Sequence, residues 1–150
     1  MKISILKITF FIFVAIFFAT IGGGTLPVYA IEAPSVRDSR YEAQFVRQSV
    51  PDPIKLVAGA TTTVTVVFKN TGTASWNAVG SGRVTVFTIE PKYHESELAD
   101  VTWINAFTPA RLKTATEPGN DGSFTFTVRA PREPGSYREH FYLAAENQSW

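Results

Sequence analysis

Two histidines, His94 and His140, carry the side chains of this sequence best suited to acid–base chemistry. A nucleophilic mechanism would need one of them beside a serine and an orienting carboxylate. His94 has such neighbours in KYHESE, residues 92 to 97, but they are adjacent in sequence within a hydrophilic segment that offers no water-excluding pocket. His140 is out of phase with the apolar residues Tyr137 and Phe141, and we expect it to face solvent. The histidines therefore predict no catalytic site.

Four residues in and just after the same hydrophilic segment are of types that bind metal ions. They are His94, Glu95, Glu97 and Asp100. Exposed acidic loops are common in proteins that hold no metal, and no glycine-rich phosphate loop or H-E-x-x-H motif accompanies this one. The sequence therefore predicts a protein that is not an enzyme and holds no metal or cofactor.

Aromatic side chains suggest a third chemistry, which is stacking against sugar rings. A carbohydrate-binding module would need two or three exposed aromatic residues on one face, and the candidates are Tyr93, Trp103 and Tyr142. A cell-wall polysaccharide would be the ligand of such a face.

The first thirty residues have the layout of a secretory signal. Lys2 and Lys7 form a basic start, residues 8–21 are almost wholly apolar, and Val28-Tyr29-Ala30 is a small-x-small cleavage site. Cleavage after Ala30 would leave Ile31 as the mature N terminus. The alternative is an uncleaved anchor, although the apolar run is short for a membrane span of about 20 residues. The sequence predicts export to the cell envelope or the medium, with membrane contact through an uncleaved signal alone.

Removal of the signal changes the charge of the protein. The full chain has a net charge of +1, but without Lys2 and Lys7 there are 12 basic and 13 acidic residues, which gives −1. Nothing suggests the clustered basic face that a nucleic-acid partner would require. The absence of cysteine excludes disulfides and thiolate metal sites. We predict that residues 31–40 form a flexible lead before the folded part of the chain. Residues 41–150 are enough for one domain with a hydrophobic core.

From Tyr41 onward, short β patterns alternate with turn residues at intervals of about ten, and no stretch has the period of a helix. Residues 62–69 alternate most clearly, with Val64, Val66 and Phe68 on one face. Residues 83–90 alternate poorly, so that either both faces are covered or a bulge shifts the register. Residues 119–122, GNDG, predict a turn. Strands are predicted over 42–50, 54–57, 62–69, 83–90, 101–107, 123–129 and 137–144. The fold class is all-β, an antiparallel β-sandwich of about six to seven strands.

The segment FKNTGTASW, residues 68–76, places a tryptophan just after a tight turn. We expect Gly72 to supply a positive φ and Asn70 to bond the nearby backbone through its side chain. Trp76 is expected to close the open rim of the core, because aromatic burial dominates the stability of small β cores. Ligand stacking is the alternative role for Trp76.

Asn70-x-Gly72-x-x-x-Trp76 resembles the opening half of the FW domain, also called the Nbr1 central or four-tryptophan domain. The proline-glycine-tyrosine segment before the last predicted strand resembles that family's closing half, while Val66 and Phe141 stand where the family often has tryptophan. The motif positions are Asn70, Gly72, Trp76, Pro134, Gly135, Tyr137, Phe141, Leu143 and Trp150. The resemblance covers Tyr41 to Trp150. It implies a non-catalytic Ig-like sandwich that recognises proteins, of the kind found in exported bacterial proteins.

These observations predict an exported, non-catalytic Ig-like module of a cell-envelope or surface protein. A protein partner or a neighbouring domain is the expected ligand. The alternatives are a carbohydrate-binding module and an accessory domain of an envelope enzyme whose catalytic part lies beyond residue 150.

The closing half of the resemblance also implies one more strand, which in the family pairs with the strand predicted here over 137–144. We therefore expect the sandwich to be truncated at its C terminus and to lack its last strand, which would leave the 137–144 strand with a free edge. The alternative is an edge that a strand from a partner completes.

Overall fold

The computed structural model of the 150-residue chain describes residues 2–5 and 38–149. Residues 8–21, the apolar run that a secretory signal predicts to be a helix, lie outside the described residues, as do the cleavage site Ala30–Ile31 and Trp150. Within them the chain forms eight strands and no helix. The strands are β1 (Lys2–Ile5), β2 (Ala43–Gln48), β3 (Ile54–Lys55), β4 (Thr61–Asn70), β5 (Val84–Ile89), β6 (Ala110–Arg111), β7 (Asp121–Arg129) and β8 (Ser136–Ala145).

The strands form two sheets, one of order β2-β4-β7 and the other of order β3-β1-β8-β5-β6. The pairings are antiparallel except that of β1 with β8, which is parallel. Apolar residues of β4 and β7 in one sheet and of β5 and β8 in the other belong to the same buried cluster. The all-β prediction is confirmed, and two sheets that share one core are the arrangement of a β-sandwich.

The ladder between β4 and β7 carries the alternation that the sequence predicts. It runs from Thr61 opposite Arg129 to Lys69 opposite Asp121. The predicted inward residues of both strands are buried, whereas Thr65 and Thr125 lie on the outer face with their hydroxyl oxygens 2.9 Å apart. The inward residues are Val64, Val66, Phe68, Phe124, Phe126 and Val128. One face of this sheet therefore packs on the core, and the other, apart from the buried Val67, is more exposed to solvent.

Strand β5 is buried on both faces, which explains its poor alternation. Val84 and Val86 belong to the main core, while Phe87 packs in a second cluster with Tyr142 and Ala144 of β8. The register of β5 with β8 is regular from Val84 to Ile89. Of the two predicted explanations, coverage of both faces is confirmed and a mid-strand bulge is wrong.

One local prediction is wrong, and another is confirmed only in part. Residues 101–107 were predicted as a strand but form successive turns, because the Asp100 side chain accepts a hydrogen bond from Thr102 N and the Asp100 carbonyl accepts one from Trp103 N. The predicted turn at 119–122 ends earlier than expected. Gly119 has a φ of 83°, and β7 already begins at Asp121, opposite Lys69.

Candidate functional site

Asn70 holds together the turn at the end of β4. It is fully buried, and its Nδ2 donates to the Ala74 carbonyl at 2.9 Å and to the Thr116 carbonyl at 3.1 Å. Its Oδ1 accepts a hydrogen bond from Gly72 N at 3.1 Å. The prediction that Asn70 bonds the nearby backbone is confirmed, and the bond to Thr116 extends the contact to a distant segment.

Gly72 is required for a reason other than the predicted one. It is not among the described residues with a positive φ, so the expectation of a left-handed turn conformation is wrong. A Cβ at this position would instead clash with the backbone carbonyl of Arg40 and lie 2.8 Å from Glu42 N. Close approach of two backbones therefore excludes a side chain here.

Trp76 is buried, with an exposed fraction of 2%. Its backbone exchanges two hydrogen bonds with Thr116, at 2.9 and 3.0 Å, and its ring lies against Gly122, where an added Cβ would be 3.1 Å from ring carbons. The core role that the sequence predicts agrees with this burial, which leaves no exposed ring face for a ligand.

The proline-glycine-tyrosine segment closes the loop before β8. The hydroxyl of Tyr137 donates to the carbonyl of Glu133 at 2.8 Å. A Cβ on Gly135 would lie 3.1 Å from the Tyr137 ring, so the ring covers the backbone at this glycine. Phe141 and Leu143 follow on β8 as core residues. These motif residues stabilise a corner of the sandwich.

The three candidate sugar-binding aromatics do not form one exposed face. Trp103 is buried in the main core, where its ring makes edge contacts with Phe126 and Phe141 and its Nε1 donates to the Thr127 carbonyl. Tyr142 is also buried, and burial raises its pKa above the ordinary value. These residues therefore do not provide the exposed aromatic platform that the carbohydrate-binding alternative would need.

Tyr93 and Tyr142 do meet, on the face of β5 and β8 away from the main core. Their ring centroids are 6.4 Å apart, and Lys92 Nζ lies 5.2 Å from the Tyr93 centroid and 5.8 Å from that of Tyr142. Desolvation lowers the pKa of Lys92 and raises that of Tyr93. These contacts fold the loop after β5 over the second cluster, and a lysine lies where a sugar would have to stack.

The histidines pair with carboxylates that lie far from them in sequence. His94 Nε2 lies 3.0 Å from Glu139 of β8, whose side chain is 4% exposed, and His94 Nδ1 lies 2.7 Å from the Pro91 carbonyl. The ring of His140 pairs with Glu90 and is not simply turned to solvent as predicted. Ser96 accepts a hydrogen bond from Leu98 N. Each of these groups holds the loop after β5 in place.

The four residues considered as metal ligands, His94, Glu95, Glu97 and Asp100, are not brought together. The carboxylate of Asp100 binds Thr102 N and Arg129 instead. Across residues 2–5 and 38–149, no three histidine or acidic side chains gather in a way that could hold a metal ion.

A surface that the sequence analysis missed lies on the loop after Ala99. Asp100 accepts two hydrogen bonds from Arg129, at 2.8 and 3.1 Å, and Trp103 anchors the same loop in the core. Val101, which lies between the two anchors, is 91% exposed. Ile104, which directly follows Trp103, is 54% exposed. One feature of the sequence could have revealed this loop. An aspartate two residues before Thr102 is typical of an Asx turn, and such a turn disfavours a strand at this position.

A third exposed apolar residue, Val57, lies on a second segment that contacts the same arginine. It is 79% exposed, and the neighbouring Gly59 carbonyl accepts a hydrogen bond at 3.3 Å from the Arg129 guanidinium that binds Asp100. Arg129 thus holds both segments at the end of the sandwich where β4 begins and β7 ends. We call Val57, Val101 and Ile104 the apolar end.

No family model matches this chain. A search of curated proteins also finds no match. Among the described residues there is no helix long and apolar enough to cross a membrane.

The loop that carries the apolar end should be sensitive to acid. The pKa of Asp100 is held below its ordinary value of 3.8 by hydrogen bonds from the Thr102 backbone and side chain, and then by Arg129. A carboxylate with a lowered pKa contributes stability that is complete above its unfolded pKa and is lost as pH falls through the lower folded value.

We therefore expect wild-type protein to be more stable than Asp100→Asn by a constant margin above about pH 5. That margin should shrink as pH falls through and below 3.8, the ordinary value. Urea denaturation of both proteins between pH 7 and pH 2 measures it. A margin that stays constant down to pH 2 would contradict the role given to the Asp100 carboxylate.

Proposed function

We propose that this chain is an exported, non-catalytic Ig-like module that binds a protein partner through the apolar end. The strand order supports the Ig-like assignment, since β2-β4-β7 corresponds to strands A-B-E of an immunoglobulin sandwich and β5-β8 to strands C-F. Tyr137 supports it too, because a tyrosine at the start of strand F whose hydroxyl bonds the backbone just upstream is a hallmark of that sandwich.

The observation that carries the proposal is the apolar end itself. Single exposed apolar residues are ordinary on protein surfaces, but Val57, Val101 and Ile104 come from two segments that one guanidinium holds together. An apolar surface on segments that hydrogen bonds hold in place, with a charged group beside it, is suited to a protein interface, because little conformational entropy is lost on binding.

The proposal also includes export of the protein and its membership of the FW family. Support for export is the signal layout before Ala30, and support for an FW-type module is the pair of motif halves around Trp76 and Tyr137. Binding of a cell-wall polysaccharide is the weaker candidate, since Trp103 and Tyr142 are buried.

The test is binding by a variant with Val101→Asp and Ile104→Asp. We expect it to lose at least about tenfold in the amount of envelope protein captured, because two charges would replace the apolar contacts at the centre of the interface. Its unfolding midpoint in urea should change little, since both side chains are exposed in the free protein.

Val79→Asp is the matched control, because Val79 is 76% exposed but lies in the turn before β5, at the opposite end of the sandwich. It should capture the same proteins as wild type. Equal capture by the two variants, or retention on washed cell-wall polysaccharide that does not depend on Val101, would contradict the proposal.

A further inference from the structure

Strand β1 fills a gap one strand wide in the five-stranded sheet. Its residues pair on one side with β3, Lys2 opposite Lys55 and Ile3 opposite Ile54. On the other side they pair with β8 in parallel, from Lys2 opposite Ser136 to Ile5 opposite Glu139. Two backbone edges thus face each other across the width of one strand.

The strand in this gap belongs to the segment that signal cleavage would remove. Loss of residues 1–30, which is part of the proposed function, would remove the strand that lies between the β3 and β8 edges. Unpaired backbone groups along an edge are a template for strand addition, and neither Ile54–Lys55 nor β8 contains a proline that would block it.

We propose that the exported protein receives an extended strand from a partner polypeptide in this gap, parallel to β8. The inference rests on the proposed export. The direction of β1 is the first argument. A strand that returned from β8 through a short turn would run antiparallel to it, whereas the strand seated here is parallel and enters as a separate segment.

The residues along the gap specify the chemistry of the incoming strand. Its second residue would lie between Ile54, which is buried, and Tyr137, which packs against the main core, so an apolar and preferably β-branched residue is required. Its first residue would lie beside Lys55, and its third beside Arg138, both of which are exposed. Acidic residues suit those two positions.

The sequence of β1, KISI, has an isoleucine at the second of these positions and a lysine at the first, in register with Lys55. A partner strand that alternates acidic and apolar residues matches the exposed Lys55 and Arg138 better than this sequence does.

The experiment uses protein purified after export from cells that express the full chain, with its N terminus read by mass spectrometry. Labelled peptides that contain EIEV, KIKV or EIPV at their centre are titrated and followed by fluorescence anisotropy. We expect EIEV to bind about tenfold more tightly than KIKV. The proline of EIPV should abolish binding, because it removes a ladder hydrogen bond.

Reversal of the charges beside the gap, by Lys55→Glu with Arg138→Glu, should invert the preference so that KIKV binds more tightly. Lys69→Glu on the other sheet is the matched control, since Lys69 is exposed and pairs in the β4–β7 ladder. It should keep the preference for EIEV.

Three results would overturn the inference, and each has a different consequence for the proposed export. Protein that begins at Ile31 but binds no peptide would refute the strand partner while export stands. Protein that still begins at Met1 would refute the proposed cleavage and leave the gap filled. A dimer that Lys55→Glu with Arg138→Glu dissociates, together with no peptide binding, would make a second copy the occupant.

Discussion

Replacement of Trp76 by alanine is expected to lower the free energy of unfolding by about 3–5 kcal/mol. The ring is 2% exposed and is the largest fully buried side chain of the described residues, so its removal leaves a cavity at the end of the sandwich. Its backbone bridge to Thr116 would survive, but the ring contact with Gly122 would be lost. Urea denaturation followed by circular dichroism measures the loss.

Val79→Ala provides the control for this experiment, because Val79 belongs to the same connection before β5 but is 76% exposed. It should change the free energy of unfolding by less than about 0.5 kcal/mol. If Trp76→Ala cost less than about 1 kcal/mol, the ring would not be a core residue, and its assignment as the rim of the core would be wrong.

Asn70→Ala is expected to lower the free energy of unfolding by about 2–4 kcal/mol. Alanine cannot donate to the Ala74 and Thr116 carbonyls or accept from Gly72 N. Asn70 is fully buried, so water cannot replace these bonds without a local opening of the turn. The same denaturation experiment measures the effect, and amide hydrogen exchange should show faster exchange at Gly72.

Asn77→Ala is the matched substitution. The amide of Asn77 donates to the Ser81 carbonyl at the surface, at 2.9 Å, so its loss should cost less than about 1 kcal/mol. Equal effects of the two substitutions would show that the buried amide of Asn70 has no special role in the turn.

These predictions concern a segment whose importance could be recognised from the sequence. Asn70 and Trp76 were singled out by their spacing after an alternating strand, and both are buried where the motif places them. The reason why position 72 must be a glycine could not be found from the sequence in the same way. Its constraint comes from Arg40 and Glu42, whose backbones reach the turn only because β2 pairs with β4.

The loop between β5 and β6 shows why the candidate site was harder to predict. A buried ring and an exposed valine give similar sequence patterns, so Trp103 and Val101 were assigned to one strand. Arg129, which binds Asp100 next to Val101, lies at the end of β7. The partner of His94 is likewise Glu139 from β8 and not the neighbouring Glu95 or Glu97.

The sequence by itself determined the all-β class, the inward faces of β4 and β7 and the burial of Trp76. These follow from a period of two residues and from the size of apolar side chains, which are properties of short segments. The tertiary structure alone decided that both faces of β5 are covered, that Arg129 binds both Gly59 and Asp100, and that the strand between β3 and β8 is parallel to β8. Each of these depends on which distant segments pack together, and local patterns do not encode that choice.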